Sequence, residues 1–404
     1  MTVGEIWGSR AKDSPKLQLA SVGMSHPWSS AGTRALTEDW LRGSLVDRRR
    51  FMAVSGSVLA GAVSAYLADE LPTAQAEPSG HVERDLLIDQ IETSIPKLQR
   101  LDDAKGGASS LGYVGAQLRA VALVLHEDRY SAAASRRLLA AFADLSQLAG
   151  WMAFDANDHG LAQRYLFTGL RAAYEVGYTA MAAHILADLS FQAAARGQRS
   201  DGVVLGEAAC RQAARSSSGV RASVTSRLAF AYAAADDIDR FDRARAEAAD
   251  ALAARHADDD PSWLYYLTPA HLDCQAGYAL VLAGREHHAA GDGAGLGMLR
   301  RGTAMLCTGA HNISAEDRTS QRRALYEGAW LCLAYAAFGD VESACAEARI
   351  AIGRLGTVNS PRSNTLLREL AVDFRRRLRN HHVAELLPEL ERALAASTPG
   401  ARAS

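Results

Sequence analysis

From about residue 82 to residue 396 the apolar positions recur with the period of an α-helix, in Ala- and Leu-rich segments of roughly 15–22 residues. Short polar or Gly/Asp-rich stretches divide them: "KGGASS" (105–110), "DANDHG" (155–160), "RGQRSDG" (196–202), "RSSSG" (215–219), "ADDID" (235–239), "ADDDPS" (257–262), "AAGDGAG" (289–295), "GDVES" (339–343) and "GTVNSPRSN" (356–364). No segment alternates with the period of two that marks a half-buried strand. The pattern predicts an all-α protein.

The breaks are themselves periodic. "DANDHGLAQ", "RGQRSDGVV", "ADDIDRFDR" and "FGDVESACA" each place a tight turn between two helices; the first three turns recur every 39 or 40 residues and the fourth follows 103 residues later. A helical hairpin repeated at such a spacing buries its apolar face only against stacked neighbours. Small residues where paired helices touch, such as Gly150 with Ala162 and Leu331 and Tyr335 with Ala344, echo the tetratricopeptide pattern, as do Leu228 and Tyr232. The expectation is a tetratricopeptide-like helical-hairpin superhelix, an α-solenoid, over residues 82–396.

The remaining chain reads differently. Residues 1–46 are irregular, with "KDSPK" and "SHPWSS"; 47–68, "DRRRFMAVSGSVLAGAVSAYLA", read as a helix of small residues; 69–81 read as a Pro-containing linker, and 397–404 as a disordered tail. The 47–68 stretch also resembles a twin-arginine export signal, with Ala74-Gln75-Ala76 as a cleavage site, which supports an alternative reading as an exported scaffold protein. The 47 residues that begin the chain exceed a signal peptide's short basic region, and a junction helix is the expectation adopted. No stretch reaches the roughly 20 strongly apolar residues of a membrane span.

Composition narrows the function classes. Lys and Arg total 44 against 46 Asp and Glu, a net charge of −2, which argues against strong nucleic-acid binding by this chain alone. Ala, Leu and Arg favour helix. Five cysteines at scattered spacings form no C-x-x-C, fit neither a zinc ribbon nor a redox motif, and suit the cytoplasm as core residues.

Several segments resemble a known family. "TVGEIWG" (2–8), "HPWSSAGT" (26–33), "DRRRFM" (47–52), "LAGWMAFDANDHGLAQRYL" (148–166) and "MAAHILADLSFQAAA" (181–195) are similar to stretches of actinobacterial, Streptomyces-type Xre-like helix-turn-helix regulators with a C-terminal tetratricopeptide-like domain. The resemblance implies a regulator of transcription, differentiation or secondary metabolism. The chain matches the part after the helix-turn-helix, so the expectation is a sensing and pairing half without DNA reading. It would take a peptide, small signal or partner protein and form a homodimer or pair with a related regulator.

Candidate chemistry adds little beyond binding. The pairs His287-His288 and His381-His382 point about 100° apart on a helix and make poor chelators. "GDGAGLG" (291–297) lacks the strand and the Lys-Ser/Thr of a phosphate loop, "ADDDPS" reads as a solvated cap, and "RRRLRNHH" (375–382) with Glu369, Asp373 and Glu385 as a solvated face. No catalytic set, metal site or cofactor is expected. The inner wall of a solenoid is lined by the first helix of each hairpin. The register of Gly150 and Ala162 places Gln147, Trp151 and Asp155 there, followed by His184 and Phe191. An aromatic ring beside an amide and a carboxylate suits an extended peptide; packing of Trp151 between hairpins is the competing explanation.

Overall fold

The computed structural model describes residues 26, 28–42, 82–126, 130–310, 313–314 and 319–397. Among the described residues there are fifteen α-helices and no strand. Helix α1 (Ser30–Arg42) precedes α2 (Val82–Lys105) and α3 (Gly107–His126). Six pairs follow: α4 (Ala132–Asp155) with α5 (His159–Glu175), α6 (Thr179–Ala195) with α7 (Arg199–Ala213), and α8 (Ser218–Ala234) with α9 (Ile238–Ala253). The later pairs are α10 (Pro269–Ala289) with α11 (Ala294–Ala310), α12 (Gln321–Phe338) with α13 (Val341–Leu355), and α14 (Pro361–Arg375) with α15 (His381–Ala396). Each pair packs as neighbours, and every break marked by the sequence pattern falls at a helix boundary.

The tight turns share one device. After α4, α5, α6, α8 and α10 the chain steps through a left-handed residue, respectively Asn157 (φ 60°), Gly177 (φ 67°), Gly197 (φ 74°), Asp236 (φ 65°) and Gly291 (φ 79°). The next residue's N–H reaches back to a carbonyl five positions earlier, as in Asp158 to Ala153 (2.9 Å), Tyr178 to Ala173 (2.8 Å), Gln198 to Ala193 (2.9 Å) and Asp237 to Tyr232 (2.9 Å). This is the Schellman closure of a helix C-terminus. At Asp158 and Asp237 the same residue's carboxylate then accepts an N–H of the following helix, from Leu161 (3.2 Å) and Arg240 (3.0 Å). One aspartate therefore closes one helix and caps the next. The turn at Val176-Gly177-Tyr178 lies between two hairpins and was not marked by the polarity pattern, because its residues are mostly apolar.

Close approach within a pair follows from small residues. A Cβ at Gly150 would meet Leu166 and the Ala162 carbonyl, so α4 and α5 touch where Gly150 and Ala162 suggest. Against the expectation that no stretch is long and apolar enough for a membrane span, helix α3 has that length and composition, because its Ala, Leu, Val and Gly run is unbroken by more than one charge. Leu111, Val114, Leu118 and Val121 form one stripe buried in the core, while Tyr113 and Leu123 are exposed.

Ser30–Arg42 is helical within a stretch whose polarity pattern reads as irregular. Its Leu36 is buried, and the Thr37 hydroxyl lies 3.1 Å from His126 Nε2 of α3. Just before it, Trp28 stands edge-on to Tyr174 of α5 at 5.9 Å and under the Arg171 guanidinium at 4.5 Å. The "TVGEIWG" stretch, the 47–68 junction helix, the 69–81 linker and the tail from 398 lie outside the described residues.

The first helices α4, α6, α8, α10, α12 and α14 touch one another in that order, and α14 comes back to α4. A belt of rings marks how they wind. Trp151, Phe191 and Phe230 sit four residues from the ends of α4, α6 and α8; Tyr278 is near the middle of α10, Tyr326 in the second turn of α12, and Arg362 in the first turn of α14. The ring contacts lie at one level in α4, α6 and α8 and then move toward the N-terminus through α10, α12 and α14, so the C-terminus of α4 meets the N-terminus of α14. That joint is polar: the Ser360 hydroxyl donates to Asp155 Oδ1 (2.8 Å), Arg362 Nε lies 3.4 Å from the same oxygen, and the Asn157 amide donates to Thr365 Oγ1 (3.1 Å).

Candidate functional site

The winding encloses a central cavity. Its volume is about 100 Å³. Helix α2 contributes Gln99, Asp102 and Asp103; α4 contributes Gln147 and Trp151; α6, His184 and Phe191; and α8, Arg227. The loop before α10 supplies Trp263, Tyr265 and Tyr266, α10 itself His271, Gln275 and Tyr278, α12 Arg322, Arg323, Tyr326 and Glu327, and α14 Arg362.

Four arginines and a belt of aromatic rings dominate the wall. Arg227 lies 4.9 Å from the Trp151 ring and forms a buried ion pair with Asp188, whose other oxygen accepts the Gln147 amide at 2.7 Å. Arg322 bridges Asp102 (3.1 Å) and Asp103 (2.8 Å) and approaches the Trp151 ring to 5.5 Å. Arg323 faces Glu327 Oε1 at 3.5 Å and the His271 ring at 3.2 Å. Nε of Arg227, Arg322 and Arg323 is buried without a hydrogen-bond partner. Arg362 faces Asp155 Oδ1, 3.4 Å from its Nε. Its guanidinium lies 4.1 Å from the Tyr326 ring, 4.8 Å from Phe154, 5.1 Å from Trp151 and 5.8 Å from Phe191. Its Nε and Nη1 are buried without a hydrogen-bond partner. The aspartate beside it, Asp155, already accepts from Ser360 Oγ at 2.8 Å and from the Gly107 N–H at 3.3 Å.

Burial controls the titration of the cavity. Removal from water raises the carboxyls of Asp102 and Glu327 to about 7, against the pull of Arg322 and Arg323 respectively. The same effect lowers the His184 imidazole to about 4, opposed by Asp188, and the neutral ring stacks on Trp263 at 4.4 Å. His271 is also held well below its ordinary value, first by burial and then by Arg323. Oε1 of Gln99, Oδ1 of Asp102 and Oε2 of Glu327 lack hydrogen-bond donors. Neutral histidines, carboxyls raised toward neutrality and four buried arginines therefore stand around one space.

Comparison with known protein families gives no match to this chain. Comparison with curated proteins gives none either. The functional argument therefore rests on the site itself.

Of the five residues expected on the inner wall, the structure places Gln147, Trp151, His184 and Phe191 on the cavity. Asp155 is fully buried behind it, at the joint between α4 and α14, and does not line the space. A carboxylate with three neighbours at a helix junction has no free edge for a peptide, and the Gln147 amide is likewise engaged by Asp188. Trp151 both packs against Phe154 (5.7 Å) and Phe191 (6.0 Å) and faces the cavity half-buried.

The arginines, Asp102, Trp263 and Tyr278 went unmarked in the sequence. One signal was available: Gln147, Asp188 and Arg227 are separated by 41 and 39 residues, the repeat spacing, and form a polar ladder across three successive hairpins. Asp102 and Arg322, 220 positions apart in sequence, carry no such signal.

Elsewhere the structure places the discounted motifs as follows. His287 ends α10 between Asp236 and Asp292, each 2.6 Å away, and both carboxylates raise its pKa. "GDGAGLG" spans the turn into α11. Arg375 and Arg377 pair with Glu391 (2.7 Å) and Asp373 (3.0 Å). Among the described residues no group of three His, Cys, Asp or Glu side chains is placed to hold a metal ion.

Proposed function

We propose that this chain is a cytoplasmic regulatory protein, built as a tetratricopeptide-like superhelix, that binds a signal ligand in its central cavity and passes the bound state to a partner protein. The observation carrying this reading is the cavity: an aromatic-lined space with convergent polar groups, two of them buried carboxyls raised to about 7 and four of them arginines. The paired helices, the recurring turn and the displaced first helices support the superhelical reading. The narrowness of the space favours a small signal, or the end of a peptide, over a chain lying along the groove.

The test is deletion of the gene with transcript profiling, complemented by wild type and by Trp151→Ala. Deletion is expected to change transcript levels, and Trp151→Ala, if its melting temperature stays near wild type, to fail in complementation. An unchanged transcriptome, together with purification free of any partner or ligand by native mass spectrometry, would overturn the reading.

One observation favours a second reading. Carboxyls raised to about 7 lie in the range useful to a general acid or base. Asp102, however, is clamped by Arg322, and Glu327 faces Arg323, so both are held as members of ion-pair networks. Turnover of nitrophenyl esters or glycosides that disappears in Glu327→Gln would select catalysis over binding.

A further inference from the structure

A second space shares no lining residue with the central cavity and is larger. A groove of about 540 Å³ runs between α2 and α4 and ends on the turn at Val176-Gly177-Tyr178. That volume is within the range of about 300–1,000 Å³ usual for small-molecule sites. Ile95, Pro96, Ala140, Ala141 and Val176 give the groove an apolar wall. Two acids stand in it, and their surroundings differ. Glu92 and its neighbour Asp89 hold the Arg137 guanidinium at 2.6 Å and 2.5 Å. That trio is net negative, and Arg136 is likewise engaged. Asp144 has no such partner. Among the described residues, the groups acting on it are the Tyr178 hydroxyl and the like charge of Glu92, with no cation among them. Burial raises its carboxyl to about 7, with Tyr178 opposing the rise and Glu92 adding to it. Oδ1 is buried without a hydrogen-bond partner, while the residue as a whole is half-buried and lines the groove. The Tyr178 hydroxyl accepts the Trp263 indole N–H at 3.1 Å and so keeps its own proton for Asp144.

We propose that this groove binds a small organic amine, its ammonium on the Asp144 carboxylate and its alkyl chain along Ala140, Ala141 and Ile95. The site is separate from the cavity and does not depend on a ligand there. A carboxylate held out of water without a counter-charge is costly, and an ammonium supplies both the charge and the N–H donors. The wall beside it is aliphatic apart from Tyr178, which suits a chain. The nearby charges favour the cation, since Glu92 adds negative potential and Arg137 is already covered by two carboxylates. An ammonium requires the ionised acid, so binding expels the proton that Asp144 holds near neutrality, and affinity rises with pH. A lysine side chain of another protein carries the same charge. A space between two helices admits a free chain more readily than a side chain that must bring its backbone along.

The experiment titrates the whole chain with hexylamine and with 1-hexanol, its neutral counterpart, by isothermal calorimetry at pH 6, 7 and 8. At pH 8 the amine is expected to bind about tenfold tighter than the alcohol, or better. An alkylammonium stays charged across this range, whereas an acid titrating near 7 is ionised roughly one part in eleven at pH 6 and ten in eleven at pH 8. Amine affinity is therefore expected to rise about tenfold from pH 6 to pH 8, while that of the alcohol stays level. Asp102 and Glu327 titrate in the same range but line the cavity, so Asp144→Asn is the control. That variant is expected to lose both the preference and its pH dependence. The wild-type preference and pH slope decide the matter by themselves should the variant fold poorly. Alcohol binding as tightly as amine, amine affinity that ignores pH, a preference that survives in Asp144→Asn, or no binding at all would overturn the proposal. Acetyl-Ala-Lys-Ala-amide outbinding hexylamine would overturn the free amine in favour of a protein segment.

Discussion

At the scale of single residues, the cavity side chains are held away from their ordinary protonation, and this has a sign. Glu327, raised to about 7 by burial, binds its proton more tightly in the folded than in the unfolded chain. Its contribution to stability is therefore greatest at low pH and falls as pH rises toward and through 7. Glu327→Gln removes that dependence. The gain in melting temperature of the variant over wild type is expected to be larger at pH 8 than at pH 5, as differential scanning calorimetry would show. Buried His184 and His271 act oppositely, losing stability as pH falls below the ordinary histidine range, so the comparison must be made between variants and not read from wild type alone. A second residue-scale test concerns the turns. Gly177 has φ 67° and open space where a Cβ would project, so Gly177→Ala is penalised by backbone conformation alone. A loss of about 1–2 kcal/mol is expected in urea unfolding.

At the scale of elements, the joint between α4 and α14 is the contact to break. Asp155→Ala removes the acceptor of Ser360 and of the Gly107 N–H, and the only carboxylate beside Arg362 among the described residues. Stripping one partner from a buried charge costs about 3–5 kcal/mol. Ser360→Ala, which leaves Asp155 its remaining neighbours, is expected to cost less, about 1–3 kcal/mol by chemical denaturation. Most elements were legible in the polarity of the chain, because Gly, Asp and Asn at the turns interrupt an otherwise continuous helical period. The turn at Tyr178 was not, since Val176 and Tyr178 look like helix interior, nor was α1, whose short run lies among prolines and serines. The site was legible where the repeat carried it. Gln147, Trp151, His184 and Phe191 share a face fixed by helical spacing. Arg322, Arg362 and Asp102 reach the same space only through winding, and winding is a sum of small displacements that no local pattern encodes. Asp155 shared the spacing of the lining residues and was still misplaced, because its position on the wall is overridden by the arrival of α14.

At the scale of the whole molecule, the contact between α4 and α14 changes how the array behaves. A simple row of repeats frays from its ends, each unit relying only on its neighbours. Here α4 and α14 support one another, and α2 is tied to α12 through Arg322 and to the loop before α14, where the Asn359 N–H donates to the Lys105 carbonyl at 2.8 Å. Hydrogen exchange is expected to show the amides of α4 and α14 opening together, and Asp155→Ala to uncouple them, with α14 exchanging first. If α14 exchanges independently in wild type as well, the joint does not link the two ends.

The residues of that joint are 205 positions apart. A ribosome adding about 5–20 residues per second needs roughly 10–40 s to travel from one to the other. Throughout that interval Trp151 has emerged, while Arg362, its last guanidinium neighbour, has not been synthesised. The cavity is thus completed late in translation, and a nascent chain interrupted before Ser360 carries most of the helices but lacks the last residue of the cavity wall.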